Sequence, residues 1–127
     1  MENNLKKILI VEDDKDFRSI LEQSFSNQND IQVIAAENGE QGVALAEKEH
    51  PDLIIMDILM PEMDGVAAAR HIKEKGIDAH IIFLTNLGDE KNISKAMEAV
   101  NNMEYILKTD MRVADIIRRV REKLGLS

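Results

Sequence analysis

Five short apolar runs, each ending abruptly on polar residues and each followed by a stretch of helical periodicity, constrain this chain most. They are Ile8-Leu9-Ile10-Val11, Ile31-Gln32-Val33-Ile34-Ala35-Ala36, Leu53-Ile54-Ile55-Met56, Ile81-Ile82-Phe83-Leu84 and Tyr105-Ile106-Leu107. The runs are one strand long, and most show no alternation, which marks strands buried on both faces. The second is partly alternating and reads as nearer an edge. Strands separated by helices cannot pair through tight hairpins. They form a parallel sheet covered on both faces, joined by right-handed crossovers.

The intervening stretches supply the helices. Phe17, Ile20, Leu21, Ser24 and Phe25 fall at helical spacing, giving a helix from Asp14 to about Asn27 with acids in its first turn. Asn38-Gly39 is a turn signal before a helix from Glu40 to Glu49, which His50-Pro51 ends. Val66, Ala69 and Ile72 stripe a third helix closed by Gly76, and Ile93, Ala96, Met97 and Val100 a fourth over Gly88 to Asn101. Thr109-Asp110 offers N-cap chemistry to a fifth helix striped by Val113, Ile116, Ile117, Val120 and Leu124 and closed by Gly125. With 127 residues and 44% hydrophobic composition, the chain reads as one α/β domain over residues 1–127.

Composition then excludes several functions. A net charge of -8 argues against direct nucleic-acid binding, and the absence of cysteine removes disulfide and thiolate chemistry. No leader and no apolar run of membrane-spanning length is visible, so the expected compartment is the cytoplasm. His50, His71 and His80 are scattered without metal spacing, and Arg112, Arg118, Arg119, Arg121 and Lys123 read as a solvated basic face at a helix end.

In a doubly covered parallel sheet, ligands bind outside the carboxyl ends of the strands. Those ends carry Glu12 and Asp13 after the first strand, Asp57 after the third, Thr85 after the fourth and Lys108 after the fifth. Strand two ends in Glu37-Asn38, which has no evident role. Three carboxylates crowded at one edge repel unless a cation or proton intervenes. All-oxygen ligands suit Mg²⁺ best, with Mn²⁺ or Ca²⁺ also compatible. A carboxylate nucleophile forms an aspartyl phosphate, Lys108 supplies a cation for the phosphoryl oxygens, and the Thr85 hydroxyl a hydrogen bond. Leu59, two residues beyond Asp57, is neither acid nor base, so it activates no water and the set suits phosphate acceptance better than hydrolysis.

These residues, with Pro61 and Gly65 downstream of Asp57 and Tyr105 before Lys108, make the chain resemble the receiver domain of two-component response regulators over essentially its whole length. The resemblance implies a flavodoxin-like sheet in the order 2-1-3-4-5 with five helices. It implies phosphoryl transfer from a histidine kinase, or exchange with a histidine phosphotransfer domain, onto Asp57. Mg²⁺ would be held by Asp13, Asp57 and the backbone carbonyl of Leu59, with Glu12 acting through a water. Thr85 and Tyr105 would switch, changing the partner preference of the face made by the fourth helix, fifth strand and fifth helix. That face would bind an unidentified downstream protein or form a weak dimer; otherwise the chain is monomeric. The protein would thus be a phosphoacceptor and not an enzyme, beyond slow self-phosphorylation and dephosphorylation.

The chain departs from the family pattern in places. Thr109 follows Lys108 where most receivers have proline, and a trans bond is expected there. Asn86 stands where a small residue is usual, either obstructing a donor or adding a phosphoryl contact. Leu59 and Leu87 suggest a dry site with a long-lived phosphoryl group. Two other classes share part of this pattern. A haloacid-dehalogenase-like phosphohydrolase needs a second aspartate at position 59. A receiver-like interaction module not regulated by phosphorylation would be expected to have lost Asp57, Asp13 or Lys108.

Overall fold

The computed structural model describes residues 5–86, 103–109 and 112–126. In chain order they form β1 (Lys6–Val11), α1 (Lys15–Ser26), β2 (Ile31–Ala36), α2 (Gly39–Glu49), β3 (Leu53–Asp57), α3 (Gly65–Glu74), β4 (His80–Thr85), β5 (Met103–Leu107) and a C-terminal helix (Val113–Lys123). The fourth helix expected over residues 88–101 lies outside the described residues, as do Leu87 and Asp110.

All five strands pair in parallel in the order β2-β1-β3-β4-β5, so the expected topology holds, with β2 at an edge. The two-residue period of the strands divides their side chains between two cores. Leu9, Val11, Ile54, Met56, Ile81 and Phe83 pack with Ala46 of α2 and with Ala68, Ala69 and Ile72 of α3. Ile8, Ile10, Leu53, Ile55, Ile82 and Leu84 pack on the other face with Leu21 and Phe25 of α1 and with Ile116 and Val120 of the C-terminal helix. Every strand residue from Ile8 to Val11 and from Leu53 to Met56 is fully buried, which explains why those runs carry no polar alternation.

Helix ends follow sequence chemistry with one exception. Asp14 caps α1, accepting from the Asp16 and Phe17 amides, and Asn38 and Asp64 cap α2 and α3 in the same way. Gly76 and Gly125 take the left-handed backbone expected of residues that close helices. The exception is the C-terminal helix. Its N-cap is Arg112 and not Thr109-Asp110, and the Asp115 carboxylate accepts from the Arg112 amide at 3.2 Å. An acid three residues into the helix has replaced a capping hydroxyl. The basic residues of that helix are tied to the chain's own acids. Arg118 meets Asp115, Arg119 and Lys123 converge on Glu104 of β5, and Arg121 forms a two-pronged pair with Asp30 beyond α1.

The connection from β3 to α3 is tight. The Gly65 amide donates to the Ile58 carbonyl at 2.7 Å, and a Cβ at Gly65 would collide with the Asp57 carbonyl oxygen. That absence of a side chain lets α3 begin directly behind Asp57.

Candidate functional site

Register and parity bring the acids together. Val11 pairs with Met56, so the next residues, Glu12 and Asp57, leave the sheet side by side. Glu12 shares the parity of Ile8 and Ile10, and Asp57 that of Leu53 and Ile55, so both face the side covered by α1. Glu12 is fully buried and Asp57 is 5% exposed, while Asp13 stands exposed at the rim. Carboxylate oxygens of Glu12, Asp13 and Asp57 all lie within 4.8 Å of one another.

Lys108 closes the group from the end of β5. Its amide donates to the Thr85 carbonyl at 2.9 Å, which fixes where the side chain starts. Its Nζ lies 2.8 Å from Glu12 Oε1 and 3.2 Å from Asp57 Oδ2. The ammonium also sits over the Phe17 ring, 5.0 Å from its centroid. One lysine thus faces two buried acids. Burial and the neighbouring Glu12 charge push the Asp57 carboxyl up to about 7, with Lys108 opposing them. Burial alone would lower the Lys108 ammonium, but its contacts with Glu12 and Asp57 outweigh that and hold it above the usual lysine value.

The remaining expected residues occupy the rim. Thr85 is fully buried at the end of β4, its hydroxyl donating to the Asn86 carbonyl at 3.3 Å. Asn86 is exposed beside it. Leu59 is 48% exposed, and Leu87, named with it in the expectation of a dry site, lies outside the described residues. Tyr105 is 42% exposed, directed away from the buried interior. No peptide bond among the described residues is cis, so Lys108–Thr109 is trans as expected.

Some contacts were not legible in the sequence. Phe17 read only as part of a core stripe, yet it touches Lys108. Glu12 was expected at the cation, through a water, and it also meets Lys108 directly. Arg18 sends Nη1 to the Glu12 carbonyl at 2.8 Å, tying α1 to the end of β1. The Phe17 and Arg18 contacts depend on how α1 lies over the sheet and the Glu12–Lys108 contact on strand order and register, none of which is encoded by spacing within a single element.

The donor set fits a hard divalent cation. All three side chains offer oxygen, two of them are buried, and Glu12 Oε1 has no aligned hydrogen-bond donor despite its ion pair. A cation would counter the burial and the Glu12 repulsion that together push Asp57 toward its protonated form.

Comparison with known proteins agrees with the geometry. The response regulator receiver domain matches residues 8–121, and the chain belongs to that family. It is 38% identical to the chemotaxis protein CheY of Halobacterium salinarum, over 74% of this chain and 78% of that protein. It is 33% identical to the probable transcriptional regulator ycf27 of Cyanophora paradoxa, over 94% of this chain but only 51% of that protein. The chain therefore spans about half the length of the regulator it matches there. Among solved structures, the N-terminal domain of an uncharacterized protein from Wolinella succinogenes superposes with a TM-score of 0.84 at 31% identity, covering 94% of each chain. The resemblance read from the strand-end residues is correct at the level of family and fold.

Proposed function

We propose that this chain is the phosphoacceptor switch of a two-component phosphorelay, with Asp57 as acceptor. The observation that carries this reading is the convergence of Glu12, Asp57 and Lys108, delivered to one point from the carboxyl ends of β1, β3 and β5. A phosphohistidine of a histidine kinase or histidine phosphotransfer domain is the donor. An Asp57 carboxylate oxygen attacks phosphorus, the phosphorus–nitrogen bond breaks, and the imidazole leaves with its electron pair and takes up a proton. Lys108, the Thr85 hydroxyl and the exposed Asn86 amide bind the phosphoryl oxygens.

Mg²⁺ is the cofactor, held by Asp13, Asp57 and the Leu59 carbonyl, with Glu12 acting at one remove. When bound it neutralises charge on the acids and on the transferred group. This chain's own part is to hold Asp57 ionised and aimed, through Lys108. The retained acids and lysine favour this over an interaction module not regulated by phosphorylation.

Thr85 and Tyr105 form the switch. A phosphoryl dianion at Asp57 recruits the Thr85 hydroxyl, and the Tyr105 ring, exposed in the state described, moves into the space behind it. The surface around β5 and the C-terminal helix then changes its affinity for a downstream protein or a second copy. The protein is a switch in the cytoplasm and not an enzyme. Among the described residues no helix is long and apolar enough to cross a membrane.

Hydroxylamine tests the acceptor chemistry. The protein, labelled with a small phosphoramidate, should lose its label on treatment and yield a hydroxamate at Asp57. Label that resists hydroxylamine, or maps to another residue, refutes the assignment.

A further inference from the structure

We infer that Phe17 is a positioning residue for Lys108, holding the ammonium in place when its anionic partners are engaged elsewhere. The inference rests on the phosphoacceptor reading of Asp57 given above and extends it to a residue on α1.

Three groups hold the Lys108 ammonium: Glu12 Oε1 at 2.8 Å, Asp57 Oδ2 at 3.2 Å and the Phe17 ring at 5.0 Å. Two of them are the groups whose charge changes during the proposed reaction. Asp57 ceases to be a free carboxylate once it carries phosphate, and Glu12 belongs to the cation-binding set. Of these three contacts among the described residues, the ring is the one that neither event consumes. A lysine side chain has four rotatable bonds and loses considerable freedom when fixed. Without a further contact it would swing toward solvent once a cation had taken up the acids and before the phosphoryl oxygens arrived to bind it.

Phe17 is itself held firmly. Its amide donates to the Asp14 carboxylate at 3.2 Å in the first turn of α1. The ring packs against the core that contains Ile8, Ile10 and Leu21, with Leu21 one helical turn on. The next residue, Arg18, binds the Glu12 carbonyl at 2.8 Å. The start of α1 is therefore pinned to the strand that carries Glu12, and the ring sits at a fixed distance from the acids. An aromatic face placed under an ammonium attracts it in a way an aliphatic side chain of similar bulk does not.

The test compares wild type, Phe17→Leu and Phe17→Tyr for the rate of Mg²⁺-dependent phosphorylation by a small phosphoramidate, each also in a Lys108→Gln background. Phe17→Leu should slow labelling about fivefold to thirtyfold, the upper part of the range for a cation–π contact, as suits a largely desolvated ammonium. Phe17→Tyr, which keeps the π face, should restore it. In the Lys108→Gln background the leucine should change the residual rate less than about twofold. Independently of activity, the Lys108 ε-methylene protons should show an upfield ring-current shift in wild type and Phe17→Tyr, lost in Phe17→Leu. Labelling of Phe17→Leu at the wild-type rate overturns the inference. So does equal slowing in the leucine and tyrosine variants, or an undiminished leucine effect without Lys108, since each indicates packing alone. Absence of the ring-current shift in wild type overturns the contact itself. If wild type never labels, the Asp57 reading fails and takes the inference with it, a result distinct from the others.

Discussion

Replacing the acceptor should make this protein more stable, and the structure sets the size and the pH dependence of the gain. Asp57 is buried beside Glu12 with one lysine between them, and its carboxyl is pushed from 3.8 to about 7. Between those values the folded chain holds a proton that the unfolded chain has released. The contribution to stability is therefore full below about pH 3.8, falls as pH rises, and is gone above about 7. About three pH units at roughly 1.4 kcal/mol each gives on the order of 4 kcal/mol as an upper bound. Relaxation and water at the mouth of the site bring this to about 2 kcal/mol. Asp57→Asn removes the charge and keeps the shape, and Lys108 retains Glu12 at 2.8 Å. In chelator at pH 8, thermal unfolding of Asp57→Asn should occur about 6–10 °C above wild type. The advantage should shrink steadily on acidification and nearly vanish near pH 4. Other carboxylates titrate in both proteins and cancel in the difference. Equal melting at pH 8, a less stable variant, or an advantage unchanged down to pH 4 would refute the reasoning.

Three further outcomes follow from the same geometry. Saturating Mg²⁺, at about a hundred times its dissociation constant, should stabilise wild type by roughly 2.7 kcal/mol, and Asp57→Asn by clearly less, read by melting with and without chelator. Lys108→Gln leaves Glu12 and Asp57 facing each other unpaired, and should cost about 3 kcal/mol in chemical denaturation at pH 8. That loss should be smaller at pH 5, where Asp57 takes up a proton. Gly65→Ala forces a methyl against the Asp57 carbonyl and should cost about 2–3 kcal/mol while displacing the acceptor, so that Mg²⁺ affinity falls as well.

The sequence displayed the strands because they are buried on both faces. A run such as Leu53 to Met56 tolerates no polar residue, and the first one, Asp57, marks the strand end. The acids at those ends were legible for the same reason, since a carboxylate directly after a fully buried run has few structural uses. Strand order was not encoded locally and came from the family resemblance. The meeting of Glu12 with Lys108 required the registers that link β1 through β3 and β4 to β5, which no one element states. Phe17 shows the limit most clearly. Its helical spacing is that of a core residue, and its ring does pack on the core, yet one edge of that core is the site. The cap at Arg112 is not legible because the cap residue itself carries no hydroxyl or carboxylate. Here the carboxylate stands three residues inside the helix.

The central claim is that Asp57 accepts a phosphoryl group with the help of a divalent cation. Intact mass after incubation with a small phosphodonor, with and without Mg²⁺ and beside Asp57→Asn, measures it directly. The account predicts the gain of a single phosphoryl group that requires Mg²⁺ and is absent from the variant. A protein that binds Mg²⁺ yet gains no mass, or a variant that gains as much as wild type, would contradict it.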